Sequence, residues 1–366
     1  MPSLYKRLPT LSILTAILFF NIDVNAQQKY YQLLEKDKFN KVERKAGQAL
    51  LKSPYDFTLN HIHALLYSSR EFKKYNTNKA YDYIVVTQRI YADIADQKTR
   101  DKLQKKDINY TSLDKDLQTI CLKALSYARE KSTISDFQYY LDYYLKADHE
   151  KKQIAKDNRN ELAYSEAISI NTIESFEYFI EKYPNAKERE NAKSNRNKLA
   201  FEIAQQINSI RSYQAFIDSY SDAAQISLAI ELRDKLAFNL AVSNNTSDAY
   251  MSFMKQYPNS HLQVKAELLY NKTHFIEKTV INDWSSYVKY KYENSWNPEV
   301  NTICDKIYDI SIESKNVNSL KWLFDNCSQF HQDSIVTSIY SIMSSDGELS
   351  TIESFTEDFE EYMYLF

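Results

Sequence analysis

Glycine is nearly missing from this chain. Average usage of about 7% would place roughly twenty-five glycines in a chain of this size, yet the 366 residues contain only Gly47 and Gly347. Phosphate-cradling loops, dinucleotide fingerprints and G-x-S-x-G nucleophile elbows need clustered glycines, so those enzyme classes are excluded. The six prolines are equally few, and a chain so poor in turn residues is a weak candidate for a many-turn β fold. Cysteine is limited to Cys121, Cys304 and Cys327. Beyond the first 26 residues no apolar run approaches the roughly 18–20 residues that a membrane span needs. What the chain does have is packing material. Tyr and Phe number 30 and 18, with 43% hydrophobic and 26% charged residues, enough for a substantial core and a solvated surface, and too much for disorder.

Residues 1–26 resemble a secretory signal. Lys6 and Arg7 precede the apolar run Leu11 to Phe20, and Val24-Asn25-Ala26 offers small residues at the cleavage positions. Cleavage is expected after Ala26, leaving an exported, non-membrane-spanning protein in the periplasm or outside the cell; a retained N-terminal anchor is the alternative. No cysteine follows the apolar run to carry a lipid. Without Lys6, Arg7 and Asp23 the chain holds 44 basic and 48 acidic residues, a net charge of −4 that does not suggest a nucleic-acid binder. The charge is uneven, because no Lys or Arg follows Lys321 while nine carboxylates do, from Asp325 to Glu361. Such an end could steer a basic partner or be a solvated face.

Self-comparison reveals an internal period. Blocks 162–198, 199–235 and 236–272 align without a gap at 37 residues. Leu162/Leu199/Leu236, Ala163/Ala200/Ala237, Asn171/Asn208/Asn245, Phe179/Phe216/Phe253 and Tyr183/Tyr220/Tyr257 fall in register. Between Ala186 and Ile207, Ala192, Leu199, Ala200, Ile203 and Ile207 return at helical spacing, predicting one long helix with this stripe packed. Asn208-Ser209, like Asn171-Thr172 and Asn245-Thr246, breaks it and caps a short helix, because these side chains compete for backbone hydrogen bonds. In the first block Ile173, Phe176, Ile180 and Tyr183 form the stripe of that short helix, which Tyr183-Pro184 ends. Neither helix buries its stripe alone, so the copies must stack.

Weaker copies flank this core. Asp136 to Tyr144 matches Ser175 to Tyr183 at an offset of 39, Trp284 to Val288 and Leu320 to Phe324 resemble the short helix, and Ser350 to Phe355 almost repeats Asn171 to Phe176. The expected organisation is a signal peptide (1–26), an N-terminal helical region (27–122), four repeats (123–161, 162–198, 199–235 and 236–272) and divergent C-terminal repeats with an acidic end (273–366). Residues 39–93 read as two or three helices, with Ala49, Leu50, Leu51, Ala64, Leu65 and Leu66 packing and Asn76 to Asn78 as a break.

The Tyr-Pro-Asn-Ala and Tyr-Pro-Asn-Ser segments at Tyr183 and Tyr257, each ahead of an alanine-bearing helix, resemble the tetratricopeptide-type repeats of exported bacterial envelope proteins of the Bacteroidetes type. They are similar also to those of the tetratricopeptide lipoprotein in outer-membrane protein assembly. The period here is 37 to 39 instead of 34, and the lipid-bearing cysteine is absent. The resemblance implies a docking scaffold and carries over no catalytic residue.

Searching the side chains for chemistry returns little. His61 and His63 diverge by about 200° on a helix and would not converge on a metal; His149, His261, His274 and His331 stand alone. Glu161, Glu166, Glu174, Glu181, Glu188 and Glu190 fall where a solvated helix face wants charge, and Asp346-Gly347-Glu348 lacks the alternating ligands of a calcium loop. Cys304 and Cys327 lie equally far from the Ser314 to Val317 turn and could pair. Helix axes about 8–10 Å apart oppose a bond that wants Cα atoms within about 7 Å, so the pairing stays open. Cys121 reads as a buried small hydrophobe. Tyr362 to Phe366 alternates like a barrel strand, but without partner strands a helical or frayed end is expected.

The expectation is an all-α, right-handed solenoid of stacked helix-turn-helix repeats. Its expected role is non-enzymatic, docking a protein or peptide partner in the cell envelope without cofactor, metal or nucleic acid. The alternative is glycan or peptidoglycan binding through exposed tyrosines, with Tyr164, Tyr178 and Tyr213 as the candidates. A carbohydrate site would show two or more exposed rings in one groove flanked by acids.

Overall fold

The structure, a computed structural model, describes residues 24–345 and 349–366. The expected signal segment lies almost wholly outside the described residues, as does Asp346-Gly347-Glu348. Among the described residues every regular element is helical and there is no strand. Most helices pack against the next one in the chain, making an all-α arrangement of stacked helical repeats. The chain divides into two compact units, one running through Arg196 and the other from Asn197 to Phe366.

In the first unit α1 (Val24–Glu35), α2 (Phe39–Lys52), α3 (Phe57–Ser68), α4 (Thr77–Asp93), α5 (Gln97–Gln104), α6 (Tyr110–Lys131), α7 (Ile134–Tyr143), α8 (His149–Ile170) and α9 (Ile173–Lys182) follow in order; α10 (Arg189–Ile207) carries the boundary. α3 is buried on all sides, as its mostly apolar sequence demands. It packs against α1, α2, α4 and α6. Most of its polar side chains are hydrogen-bonded. Asn60 donates to the Pro54 and Asp56 carbonyls, the His63 ring bonds the Leu59 carbonyl at 2.7 Å, and His61 bridges Tyr31 Oη (2.8 Å) and Asp116 Oδ2 (3.0 Å). Both histidines are core residues. Leu51, expected to pack, is exposed at the end of α2.

The second unit continues through α11 (Ile210–Ser219), α12 (Ile226–Asn244), α13 (Ser247–Gln256), α14 (Gln263–Lys278), α15 (Trp284–Glu293), α16 (Ile303–Ser314), α17 (Val317–Asn326), α18 (Gln332–Ser345) and α19 (Leu349–Asp358). Long and short helices alternate through α14, and Ala200, Ala204, Ala229, Ala237, Ala241 and Ala266 are all buried where they meet. Small side chains allow the close approach, and Phe216, Phe253 and their neighbours fill the remaining space. Leu162, Leu199 and Leu236 are all half-buried.

The scarcity of glycine shapes the junctions. Asn171, Asn208 and Asn245 adopt left-handed backbone, with φ of 52°, 47° and 47°; Asn is the residue other than glycine that enters this region at least cost. Asn171 and Asn245 close α8 and α12 by donating to the Ala167 and Ala241 carbonyls at 2.9 Å. The next residue starts the following helix: Thr172, Ser209 and Thr246 accept from the backbone N–H of Ser175, Ser212 and Ala249. The two jobs assigned jointly to the Asn-Ser/Thr pair are thus divided between its members.

A second recurring device went unread in the sequence. Arg159, Arg196 and Arg233 recur at the same 37-residue interval. Arg159, on α8, donates to Gln138 of α7 at 2.7 Å and to Asn160, and its guanidinium lies 4.9 Å over the Tyr183 ring after α9. Arg233, on α12, repeats this with Gln214 of α11 (2.8 Å), Asp234 and Tyr257 after α13 (5.0 Å). One planar cation thereby ties three successive helices.

Beyond α14 the core of the second unit changes character to Ile303, Ile307, Leu320, Leu323, Ile335 and their neighbours. Lys315 turns the chain at φ 52° and Asn316 caps α17. Cys304 and Cys327 are disulfide-bonded with Cα atoms 6.0 Å apart. Two features close the distance: Ser311 and Ser319 are fully buried and hydrogen-bonded between α16 and α17, and Cys327 sits at the end of α17 where the chain leaves the helix. Cys121 is free and buried. The chain's last residues form a 3-10 turn, Glu360–Leu365.

Candidate functional site

The long helix predicted to start at Ala186 begins at Arg189, and its stripe is only partly covered. Ala192 and Ala200 are buried, but Ile203 is exposed and Ile207 is 61% exposed, contrary to the expectation that both pack. Periodicity identifies apolar positions; it does not say which of two adjacent helix faces has a neighbour.

In the first unit the corresponding surface is a groove of about 870 Å³ flanked by α7 and α9 and floored by α8. Ala163, Ala167 and Ile170 supply an apolar floor and Ile134 an apolar wall, while Glu166, Glu174 and Lys182 give the groove both signs of charge. Tyr178, on α9, is 59% exposed. Lys182 lies 4.7 Å over the Tyr178 ring and donates to its hydroxyl, a bond that raises the lysine pKa. Ser175 is committed to the Thr172 and Ala167 carbonyls, so its hydroxyl is a cap.

In the second unit the same register carries Ile203, Ile207 and Leu240, each exposed, with Val242 nearby. Ile203 and Leu240 are one period apart, as are Ile170 and Ile207. Exposed apolar side chains at a fixed position of successive long helices form contact surface that the fold itself leaves uncovered.

The tyrosine candidates separate. Only Tyr178 is exposed. Tyr164 is half-buried against Phe179 at 5.4 Å, its hydroxyl accepting from Asn195. Tyr213 is 2% exposed, its hydroxyl donating to Asn208, and is a core residue. Its column explains this: Phe176 and Tyr250, one period either side, are buried too. Glu161, Glu166, Glu174, Glu181 and Glu190 face solvent, but Glu188 does not. It sits ahead of α10, where its carbonyl accepts from Ala192, and its buried Oε2 has no partner among the described residues.

His149, His261 and His331 are exposed, and His274 is half-buried against Tyr290. Among the described residues no group of three His, Cys, Asp or Glu side chains is placed to hold a metal ion, and no helix is long and apolar enough to cross a membrane. No protein-family model matches the chain, and no curated protein matches it in sequence.

Proposed function

We propose that the protein is an exported, non-enzymatic docking scaffold of the tetratricopeptide-like kind, holding a protein or peptide partner against the exposed face of its long helices. The observation that carries this reading is the recurrence, one period apart, of exposed Ile203 on α10 and exposed Leu240 on α12 in the second unit, with Ile207 exposed one turn from Ile203. Surfaces of stacked helix pairs bind through many moderate contacts, and an apolar position repeated at each step is what an extended partner needs. The charged walls around Ile170 would fix the partner's register. Export is supported by the buried Cys304–Cys327 bond, since such bonds persist in oxidising compartments.

The test is site-specific photo-crosslinking in cells. A crosslinker at Ile207 or Leu240 is expected to trap a discrete partner, and one at Lys198, on the opposite face of α10, is expected to trap none. Equal trapping at all three positions, or none at Ile207 and Leu240, would refute the proposal.

A further inference from the structure

Independently of the docking surface, we propose that a tyrosine-lined cavity in the first unit binds one neutral pyranose ring, free or at the end of a glycan. The cavity measures about 320 Å³ and lies between the start of α4, the C-terminal part of α6, and α7. That size is at the lower end of the range of about 300–1,000 Å³ for small-ligand sites, matching a single sugar and too small for a length of peptide.

Five of its eleven lining residues are Tyr75, Tyr127, Tyr139, Tyr140 and Tyr144. Two of these rings, Tyr127 and Tyr139, are about half exposed, at 49% and 48%. Both are braced. Tyr139 stacks on Tyr143 with centroids 5.4 Å apart, the Tyr143 hydroxyl is anchored on Asp82, and Asn78 Nδ2 donates to Tyr139 Oη at 2.7 Å. Lys131 sits 5.5 Å over the Tyr127 ring. Rigid aromatic faces suit the apolar C–H face of a sugar, because little side-chain entropy remains to be lost on binding.

The remaining walls offer what sugar hydroxyls require, which is groups that donate and accept in the plane of a small amide or carboxylate. Asn78 also accepts from Tyr144 Oη at 2.5 Å, and the same hydroxyl reaches Thr77 at 2.9 Å, which fixes the amide's orientation. Asp136 lines the opposite wall, with one oxygen accepting from Thr133. The Tyr75 and Tyr140 hydroxyls are buried without a partner among the described residues. Charge narrows the ligand further. The charged lining residue is the Asp136 carboxylate, which opposes an anion, and the Lys131 ammonium beside Tyr127 opposes a quaternary ammonium, the other ligand that suits a tyrosine cage. A neutral polyol with one apolar face remains. The cavity supplies the paired exposed rings beside an acid that mark a carbohydrate site, at tyrosines other than those the sequence singled out.

The test is a panel of neutral mono- and oligosaccharides, with choline and inorganic phosphate as charged probes, against the full chain by saturation-transfer NMR and calorimetry. At least one saccharide is expected to bind; a monosaccharide that saturates the site identifies a free sugar, and binding only of longer chains identifies a glycan end. Tyr139→Ala is expected to weaken binding about tenfold, the value of one aromatic contact near 1.4 kcal/mol. Tyr139→Phe should weaken it less, and Tyr178→Ala should leave it unchanged. Tyr139 and Tyr127 are half exposed, so circular dichroism of their variants should match the parent at the temperature of the binding assay. Binding of choline or phosphate alone, no saccharide binding, or saccharide binding indifferent to both Tyr127→Ala and Tyr139→Ala would overturn the assignment.

Discussion

Replacing Arg233 with alanine tests how the repeats are held together. In the native chain its Nε and Nη2 donate to Asp234 Oδ1 at 2.9 and 2.6 Å, Nη1 donates to Gln214 at 2.8 Å, and the guanidinium covers the Tyr257 ring. The Asp234 side chain is 3% exposed. Without the arginine that carboxylate is left buried and uncompensated, which costs roughly 3–5 kcal/mol. The first unit contains the control: Arg159 makes the same contacts to a neutral Asn160, so Arg159→Ala loses only hydrogen bonds and ring contact, about 1–3 kcal/mol. Urea titration followed by circular dichroism should therefore show Arg233→Ala to be the more damaging by roughly 2 kcal/mol. Adding Asp234→Asn should recover most of that difference, because it removes the stranded charge. If Arg233→Ala costs no more than Arg159→Ala, or if Asp234→Asn deepens the loss, the buried-charge reasoning fails.

Three further outcomes are expected. Replacing Cys304 and Cys327 together by serine should cost about 3 kcal/mol by releasing the loop of 23 residues in the unfolded chain, and denaturing thiol titration of the parent should find one free cysteine; three would exclude the bond. Asn208→Ala should lose roughly 1–2 kcal/mol for forcing an alanine into left-handed backbone and a further contribution of about 1 kcal/mol from the Tyr213 hydroxyl left without its acceptor, whereas Asn208→Gly should lose only the second, as thermal melts would show. Burial raises the pKa of Tyr31, Tyr140 and Tyr144 and pushes the Cys121 thiol up to about 12. A raised folded-state pKa favours the protonated form, so this stability is complete below the unfolded values and drains away as pH rises above about 9–10. Tyrosinate absorbance should therefore rise together with loss of helix, and phenols titrating freely while helicity persists would contradict their burial.

What was legible in the sequence was local or periodic. Asn171, Asn208 and Asn245 marked the junctions because few residues other than glycine enter left-handed backbone, and the Ala columns marked where helices touch. Tyr213 was misjudged when considered alone, although its column, Phe176/Tyr213/Tyr250, was uniformly aromatic and is uniformly buried. Tyr164 shares a column with Phe201 and Phe238, both buried, and Tyr178 shares one with Ala215 and Ser252, which matches its exposure. Glu188 misled because charge was equated with solvent. The arginine ties were hidden because Arg159, Arg196 and Arg233 resemble ordinary surface charge until Tyr183 and Tyr257 are placed beneath two of them. The cavity at Tyr127 and Tyr139 could not be read at all, since it joins α4, α6 and α7 across some sixty residues of chain.

The repeat columns divide into those that hold the core and those free to vary. Columns that keep their residue type, such as Ala163/Ala200/Ala237 and Phe179/Phe216/Phe253, hold the core, with the alanines and Phe179, Phe216 and Phe253 buried. One column that changes is exposed: Glu166/Ile203/Leu240 alters charge and size from one repeat to the next. A mutation confined to these exposed positions is expected to shift stability by less than about 0.5 kcal/mol. On the docking proposal, partner choice can therefore vary without disturbing the stack. Exchanging Glu166 and Ile203 in one chain keeps composition and net charge, so melting should be unchanged while crosslinking at Leu240 and at Ile170 changes in yield or in partner. Unaltered crosslinking would mean that recognition does not read this column.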